Sequence, residues 1–189
     1  MADSLNAILE RWRQEGEPMQ YSYASAYFFY HQENPYKLIP RALKYHRNLP
    51  AGRFFASKLG ALMASRPHWA DVDLVIPVPL HPLRKWRRGY NQAEVLAEAI
   101  AKEMGVRMDA KALKRVRRTG SQTRLDAESR LQNVLGVFRL RHPFQAKHIL
   151  LVDDTFTTGS TLAACHQTLR SALGHSVRIS VATLSVVQD

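Results

Sequence analysis

Two adjacent carboxylates, Asp153 and Asp154, close the short apolar run Leu150-Leu151-Val152, and a stretch rich in hydroxyls, Thr155-Phe156-Thr157-Thr158-Gly159-Ser160-Thr161, follows at once. An amphipathic run through Leu162, Leu169 and Leu173 begins where the hydroxyls end. The pattern reads as a buried strand, a tight loop and a helix N-terminus. Backbone N–H groups left free at a helix start, with the helix dipole behind them, form an anion site. The hydroxyls of Thr155, Thr157, Thr158, Ser160 and Thr161 add donors. Gly159 lets the backbone approach an oxyanion with no side chain between. The acidic pair would repel that anion, so it suits another part of the same ligand. Sugar hydroxyls and divalent cations both seek carboxylate oxygens. The plainer alternative is a strand–turn–helix junction whose Asp and Thr residues only cap a helix.

A second chemical block runs Ile76-Pro77-Val78-Pro79-Leu80-His81-Pro82-Leu83-Arg84-Lys85-Trp86-Arg87-Arg88-Gly89-Tyr90-Asn91-Gln92. Prolines stiffen the loop after a strand, four cations follow, and a helix then opens. Such a cluster can hold a diphosphate through forked Arg contacts. It can equally line a nucleic-acid groove, with Trp86 and Tyr90 free to stack on bases. A basic surface loop is the bland reading. A third block, from Arg115 through Arg118-Thr119-Gly120-Ser121-Gln122-Thr123 to Arg130-Leu131-Gln132-Asn133-Val134, is polar and basic with few apolar anchors. It fits a hood over an active site or a plain surface connection.

The stretch from Leu150 to Thr161 resembles the phosphoribosyl-pyrophosphate (PRPP) motif of type I phosphoribosyltransferases, departing from it where Thr155 and Phe156 replace aliphatic residues. The three blocks together resemble the ComF/GntX group of phosphoribosyltransferase-like proteins. The PVPLHP stretch, the RGYNQ helix start, the R-R-T-x-x-Q-T and R-x-x-N-V pair and the terminal PRPP loop all stand in that group's order, between Tyr27 and Val186. Many members carry an N-terminal cysteine-rich zinc module. This chain has one cysteine and is read as a variant without it.

The resemblance implies PRPP and Mg²⁺ as ligands. Thr155, Thr157, Thr158, Gly159, Ser160 and Thr161 would hold the 5′-phosphate. Asp153 and Asp154 would be the catalytic carboxylates, contacting the ribose hydroxyls directly or through Mg²⁺ and its waters. Leu80, His81, Arg84, Arg87 and Arg88 would bind pyrophosphate, and Arg118, Thr119, Gln122 and Thr123 would belong to the hood. The implied reaction displaces pyrophosphate from the anomeric carbon by a nitrogenous base or amine that the sequence does not identify. The alternative is a protein without turnover that binds PRPP or single-stranded DNA and acts in competence, DNA uptake or nucleotide sensing.

The elements that must position these residues alternate strand and helix. A short helix is expected through Gln14, an aromatic strand over Tyr21 to Tyr30, and helices over Tyr36 to His46 and Ala51 to Ser65. In the last of these, Phe54, Phe55, Leu59 and Leu62 suggest the apolar stripe. A strand over Asp73 to Pro79, a helix over Tyr90 to Met104, the strand from Ile149, its helix, and a last strand near Val177 to Val186 complete the reading. Such alternation predicts an α/β fold, a parallel sheet flanked by helices. With the resemblance, this is the type I phosphoribosyltransferase fold with a small N-terminal helical/strand appendage (residues 1–70), a core (residues 71–189) and a basic hood loop. Ligands in such folds sit beyond the carboxyl ends of the strands, so the two most chemical loops are expected to face one crevice.

Composition narrows the classes. The net charge of +11 is uneven: Arg84 to Arg141 holds 15 Lys or Arg against 6 Asp or Glu. A polyanionic ligand or nucleic acid would favour that field. No apolar run approaches the roughly 20 residues of a membrane span, so no membrane partner is expected. No signal peptide is read at Met1-Ala2-Asp3-Ser4, and the lone Cys165 excludes an internal disulfide and any multi-cysteine zinc site. Cytoplasmic placement is the expectation. The oligomeric state stays open, a dimer being compatible. The P-loop, dinucleotide and G-x-S-x-G patterns are absent.

Overall fold

Ile149-Leu150-Leu151-Val152 is apolar without alternation because both of its faces are covered. All four residues are fully buried, as strands of a parallel sheet between helices require. The computed structural model describes residues 21–31, 38–45, 48–116 and 136–188. Their order is β1 (Ala24–His31), α1 (Leu38–Tyr45), α2 (Leu49–Ala64), a 3-10 turn (Pro67–Trp69), β2 (Leu74–Pro77), α3 (Pro82–Arg88), α4 (Gln92–Met104), β3 (Arg107–Met108), β4 (Leu113–Arg115), β5 (Phe138–Leu140), β6 (His148–Phe156), α5 (Ser160–Leu173) and β7 (Arg178–Gln188). The expected helix before Gln14 and the hood residues Arg118, Thr119, Gln122 and Thr123 lie outside the described residues.

The five-stranded sheet has the order β1-β7-β6-β2-β3, and every pair in it is parallel. Two cores form, one on each face. Ile149, Leu151, Ile179 and Val181 pack with Leu162, Cys165 and Leu169 of α5 and with Leu113 and Phe138. Leu150, Val152 and Ala182 pack with α2 and α4. On the inward face of α4, Val95, Leu96, Ala99 and Ile100 are buried, and Leu96 and Ile100 each contribute about 1.5–3 kcal/mol by leaving water.

The face of α2 differs from the expectation. Leu59 is buried, but Phe54 and Leu62 are 56% and 53% exposed. The inward stripe is Gly52, Ala56, Leu59, Gly60 and Met63. Small residues line it because α2 runs close to α4. A Cβ added at Gly60 would meet the Ile100 Cα at 3.0 Å. The two large apolar residues therefore misled the reading, and the glycines marked the interface.

Two elements arise where loops were expected. The prolines after β2 start α3, with Pro82 at its first position, where proline's fixed φ is tolerated. Gly89, at φ 82, ends α3 in the left-handed conformation. Within the basic connection, β4 and β5 pair antiparallel as a second, two-stranded sheet. Among the described residues, no helix is long and apolar enough to cross a membrane.

Candidate functional site

Strands β2 and β6 are parallel neighbours, with Pro77 beside Val152. Their carboxyl ends therefore open on one rim, and the Val78 N–H donates to the Val152 carbonyl (2.8 Å) just below the acidic pair. The chain leaving β2 becomes the cationic α3, and the chain leaving β6 becomes the hydroxyl loop and α5. Both chemical loops therefore leave the sheet at the same rim, from neighbouring strands.

β6 does not stop at the carboxylates. It pairs with β7 through Thr155 beside Ser185 and Phe156 beside Val186. Thr155 is thus a strand residue, and its Oγ1 accepts from the Ser185 hydroxyl (3.2 Å). The loop proper is Thr157, Thr158 and Gly159, shorter than expected because β-branched Thr155 and aromatic Phe156 extend the ladder. Gly159 holds φ 69 and precedes α5 with no side-chain cap. The first-turn N–H groups of α5 have no partner within the helix, as helix geometry dictates. Thr157, Thr158 and Ser160 are exposed around them, with Thr158 Oγ1 and Ser160 Oγ in mutual hydrogen bond (3.0 Å). This is an anion-binding arrangement.

The pleat of β6 sends Asp153 and Asp154 to opposite faces. Asp154, on the Leu150–Val152 side, is 9% exposed, while Asp153 is half-buried and its Oδ1 accepts from the Asp154 N–H (2.8 Å). They are therefore not a chelating pair. Among the described residues, no group of three or more His, Cys, Asp or Glu is placed to hold a metal ion. Such a donor set would suit only a Mg²⁺ that brings most of its ligands with it, one carboxylate or its water completing the shell.

The cations of α3 differ in their roles. Arg84 and Arg87 are exposed, whereas Arg88 is half-buried and donates to Gln92 Oε1 (2.6 Å). Lys85 pairs with Glu94 of α4 (2.8 Å). His81 caps α3, its Nδ1 accepting from the Leu83 N–H (3.3 Å), and Leu80 is half-buried beside it. Trp86 is 83% exposed.

Arg115 belongs to this rim although only its place in the basic run was legible. It lies two residues after the buried Leu113, half-buried over the Phe138 ring at 5.4 Å. Burial lowers its guanidinium from the ordinary value, Arg84 lowers it further, and the Asp153 carboxylate opposes the shift. Arg84, Arg115 and Asp153 thus share one electrostatic neighbourhood. Cys165 is fully buried beneath it, and burial, then Asp153, push its thiol well up, so it stays a protonated core residue. A groove of about 350 Å³ along the flank of α5, bounded by Phe138, Leu140, Ala164 and Thr168, contains none of the candidate site residues.

No profile of a known protein family matches the chain. The DNA utilization protein YhgH of Salmonella typhimurium is 38% identical over 138 residues, covering 71% of this chain and 61% of that protein. Competence protein F of Haemophilus influenzae is 34% identical over 146 residues, covering 74% of this chain and 64% of that protein. The chain thus spans about three fifths of the length of these curated relatives. Two solved structures, an allosteric regulatory enzyme of purine biosynthesis and the glutamine PRPP amidotransferase from B. subtilis, are similar with a TM-score of 0.43 each. They are 19% and 20% identical, with 69% and 68% of this chain and 25% and 26% of theirs covered. At 34% to 42% identity to curated proteins named for DNA utilization and competence, the chain is similar to the ComF group that its motifs resemble.

Proposed function

We propose that this chain binds PRPP with Mg²⁺ at the shared rim of β2 and β6 and transfers its phosphoribosyl group to a nitrogenous acceptor. The observation that carries the reading is the adjacency of three parts on neighbouring strands. These are an uncapped helix start with exposed hydroxyls, a pair of carboxylates, and a cationic helix. The α5 N-terminus with Thr157, Thr158, Gly159, Ser160 and Thr161 takes the 5′-phosphate. Asp153 and Asp154 take the ribose, and Arg84 and Arg87 take the pyrophosphate. The acceptor nitrogen forms its bond to the anomeric carbon as the bond to pyrophosphate oxygen breaks. That electron pair leaves on pyrophosphate, and the acceptor's proton goes to solvent. When bound, Mg²⁺ would neutralise charge on the leaving group. The cations of α3 serve the same charge, and the carboxylates below the ring serve the positive charge that develops on the ribose.

Calorimetric titration of the protein with PRPP, with and without Mg²⁺, tests the binding step. Micromolar binding assisted by Mg²⁺ is expected. Pyrophosphate release across a panel of nitrogenous bases then tests transfer. A folded protein that fails to bind PRPP removes the reading, and binding without release for any acceptor leaves a PRPP sensor.

A second reading draws on Trp86. At 83% exposure on a helix of cations, it offers a stacking platform for single-stranded DNA. The relatives named for DNA utilization and competence support a role in handling DNA. Affinity for an oligonucleotide is then expected to fall steeply between low and moderate salt through counterion release, and to fall further in Trp86→Ala. A flat salt response excludes it.

A further inference from the structure

We infer that Asn91 is a positioning residue that fixes the β2-exit loop and the cations of α3. This rests on the PRPP reading for the ligand concerned. Helix α3 has seven residues and buries none of them, so packing does not set its place. Its place is set by ties. Asn91 stands at the N-cap of α4 but makes no cap bond. Its Nδ2 instead donates to the carbonyl of Val78 (3.0 Å), and Asn91 and Val78 are only 7% and 5% exposed. Val78 is the first residue beyond β2, and α3 begins four residues further on, at Pro82. The far end of α3 is joined to α4 by Lys85 to Glu94 and by Arg88 to Gln92.

An asparagine at an N-cap ordinarily accepts from its own helix, which stabilises it. Here that bond is given up for a carbonyl thirteen residues earlier. The exchange holds the loop's entry at a fixed height above β6, whose Val152 carbonyl receives the Val78 N–H. Without it, the Val78 carbonyl is a buried acceptor with no donor from Asn91, and relief comes from moving the loop toward water. Arg84 and Arg87 would move with it.

Asn91→Asp and Asn91→Ala test this in the full chain. Aspartate caps a helix as well as asparagine, yet it offers the Val78 carbonyl an oxygen in place of a donor. Two probes are titrated with Mg²⁺: inorganic pyrophosphate, read by the loop, and ribose 5-phosphate, read by the α5 N-terminus. Both variants are expected to bind pyrophosphate about tenfold more weakly and ribose 5-phosphate within about twofold of the parent. Amide hydrogen exchange over residues 80–88 should quicken in both while that of α5 stays unchanged. Equal losses for both probes, or no loss for either, overturn the proposal. A parent chain that binds neither probe overturns the PRPP reading instead, and the exchange comparison then decides the positioning role alone.

Discussion

Asp153→Asn combined with Asp154→Asn is expected to abolish Mg²⁺-assisted PRPP binding, by a hundredfold or more, while the chain stays folded. Asparagine matches aspartate in size, so the half-buried and buried sites remain filled. What disappears is the charge. Hydrogen bonds to a charged group are worth about 1.5–3 kcal/mol each, and two such contacts to the ribose or its metal give the expected loss. The local field changes too, since Asp153 supports the charged form of Arg115 against burial and Arg84. Because the two side chains lie on opposite faces of β6, the single variants should differ, with Asp153→Asn also perturbing the Arg84–Arg115 neighbourhood. Calorimetry with PRPP measures the loss and circular dichroism checks the fold. Normal affinity in the double variant would show that the acidic pair has another role.

The site was legible in outline because its parts are local in sequence. A strand, acids, hydroxyls, a glycine and a helix occupy one short stretch, and each has a preference that agrees with its neighbours. The strand's end was misplaced because Thr155 and Phe156 follow the acids without a breaking residue, and β7 supplies Ser185 and Val186 to pair with them. The helix α3 was hidden because its prolines read as loop residues, although proline fits a helix's first turn. The hairpin of β4 and β5 has strands of three residues each, too short for any periodicity to show.

Side-chain ties across the chain were illegible for a different reason. Asn91 was read only as part of the helix from Tyr90, because the sequence gives its neighbours and not the carbonyl of Val78. Tyr90 likewise donates its hydroxyl to the Leu43 carbonyl, 47 positions away. Periodicity predicts which face is buried. It is silent about which distant backbone group a polar side chain will find there.

The amino end of the sheet holds the strongest case, and it yields the second large effect. His148 is fully buried, with Nδ1 at 2.9 Å from Asp71 Oδ1 and Nε2 at 2.7 Å from Ser180 Oγ. The Tyr23 N–H donates to that same Ser180 oxygen (3.0 Å). The Asp71 and Ser180 contacts are satisfied together when Ser180 donates to Nε2 and Nδ1–H donates to Asp71, leaving a neutral ring, while Arg178 Nη2, 3.3 Å from the same Nδ1, donates to Asp71 instead. The order acid, imidazole, hydroxyl is that of a hydrolytic triad, but Ser180 is fully buried in β7 and cannot meet a substrate. The network is structural, joining β6, β7, the lead into β1 and the turn before β2. Arg178 pairs with Asp71, and Asp73 accepts from the His148 N–H (3.0 Å).

Burial lowers the imidazole below its ordinary value of 6.5, and Asp73 opposes the shift only partly. In the unfolded chain the ring takes its proton near that ordinary value. The contribution to stability is therefore complete above about pH 6.5 and is lost as pH falls below it toward the lowered folded value. Denaturant midpoints measured between about pH 8 and about pH 5 should fall more steeply for the parent than for His148→Gln. His148→Ala should cost about 3 kcal/mol at neutral pH, from the cavity and from the Ser180 and Asp71 groups left without their partner. Equal pH slopes for the parent and His148→Gln would mean that the fold leaves the ring's titration unshifted, and a parent midpoint that instead rises toward acid relative to His148→Gln would mean that the ring carries its proton in the fold. The bond to Ser180 would then have to run the other way, with Nε2 donating to an oxygen that also accepts from Tyr23.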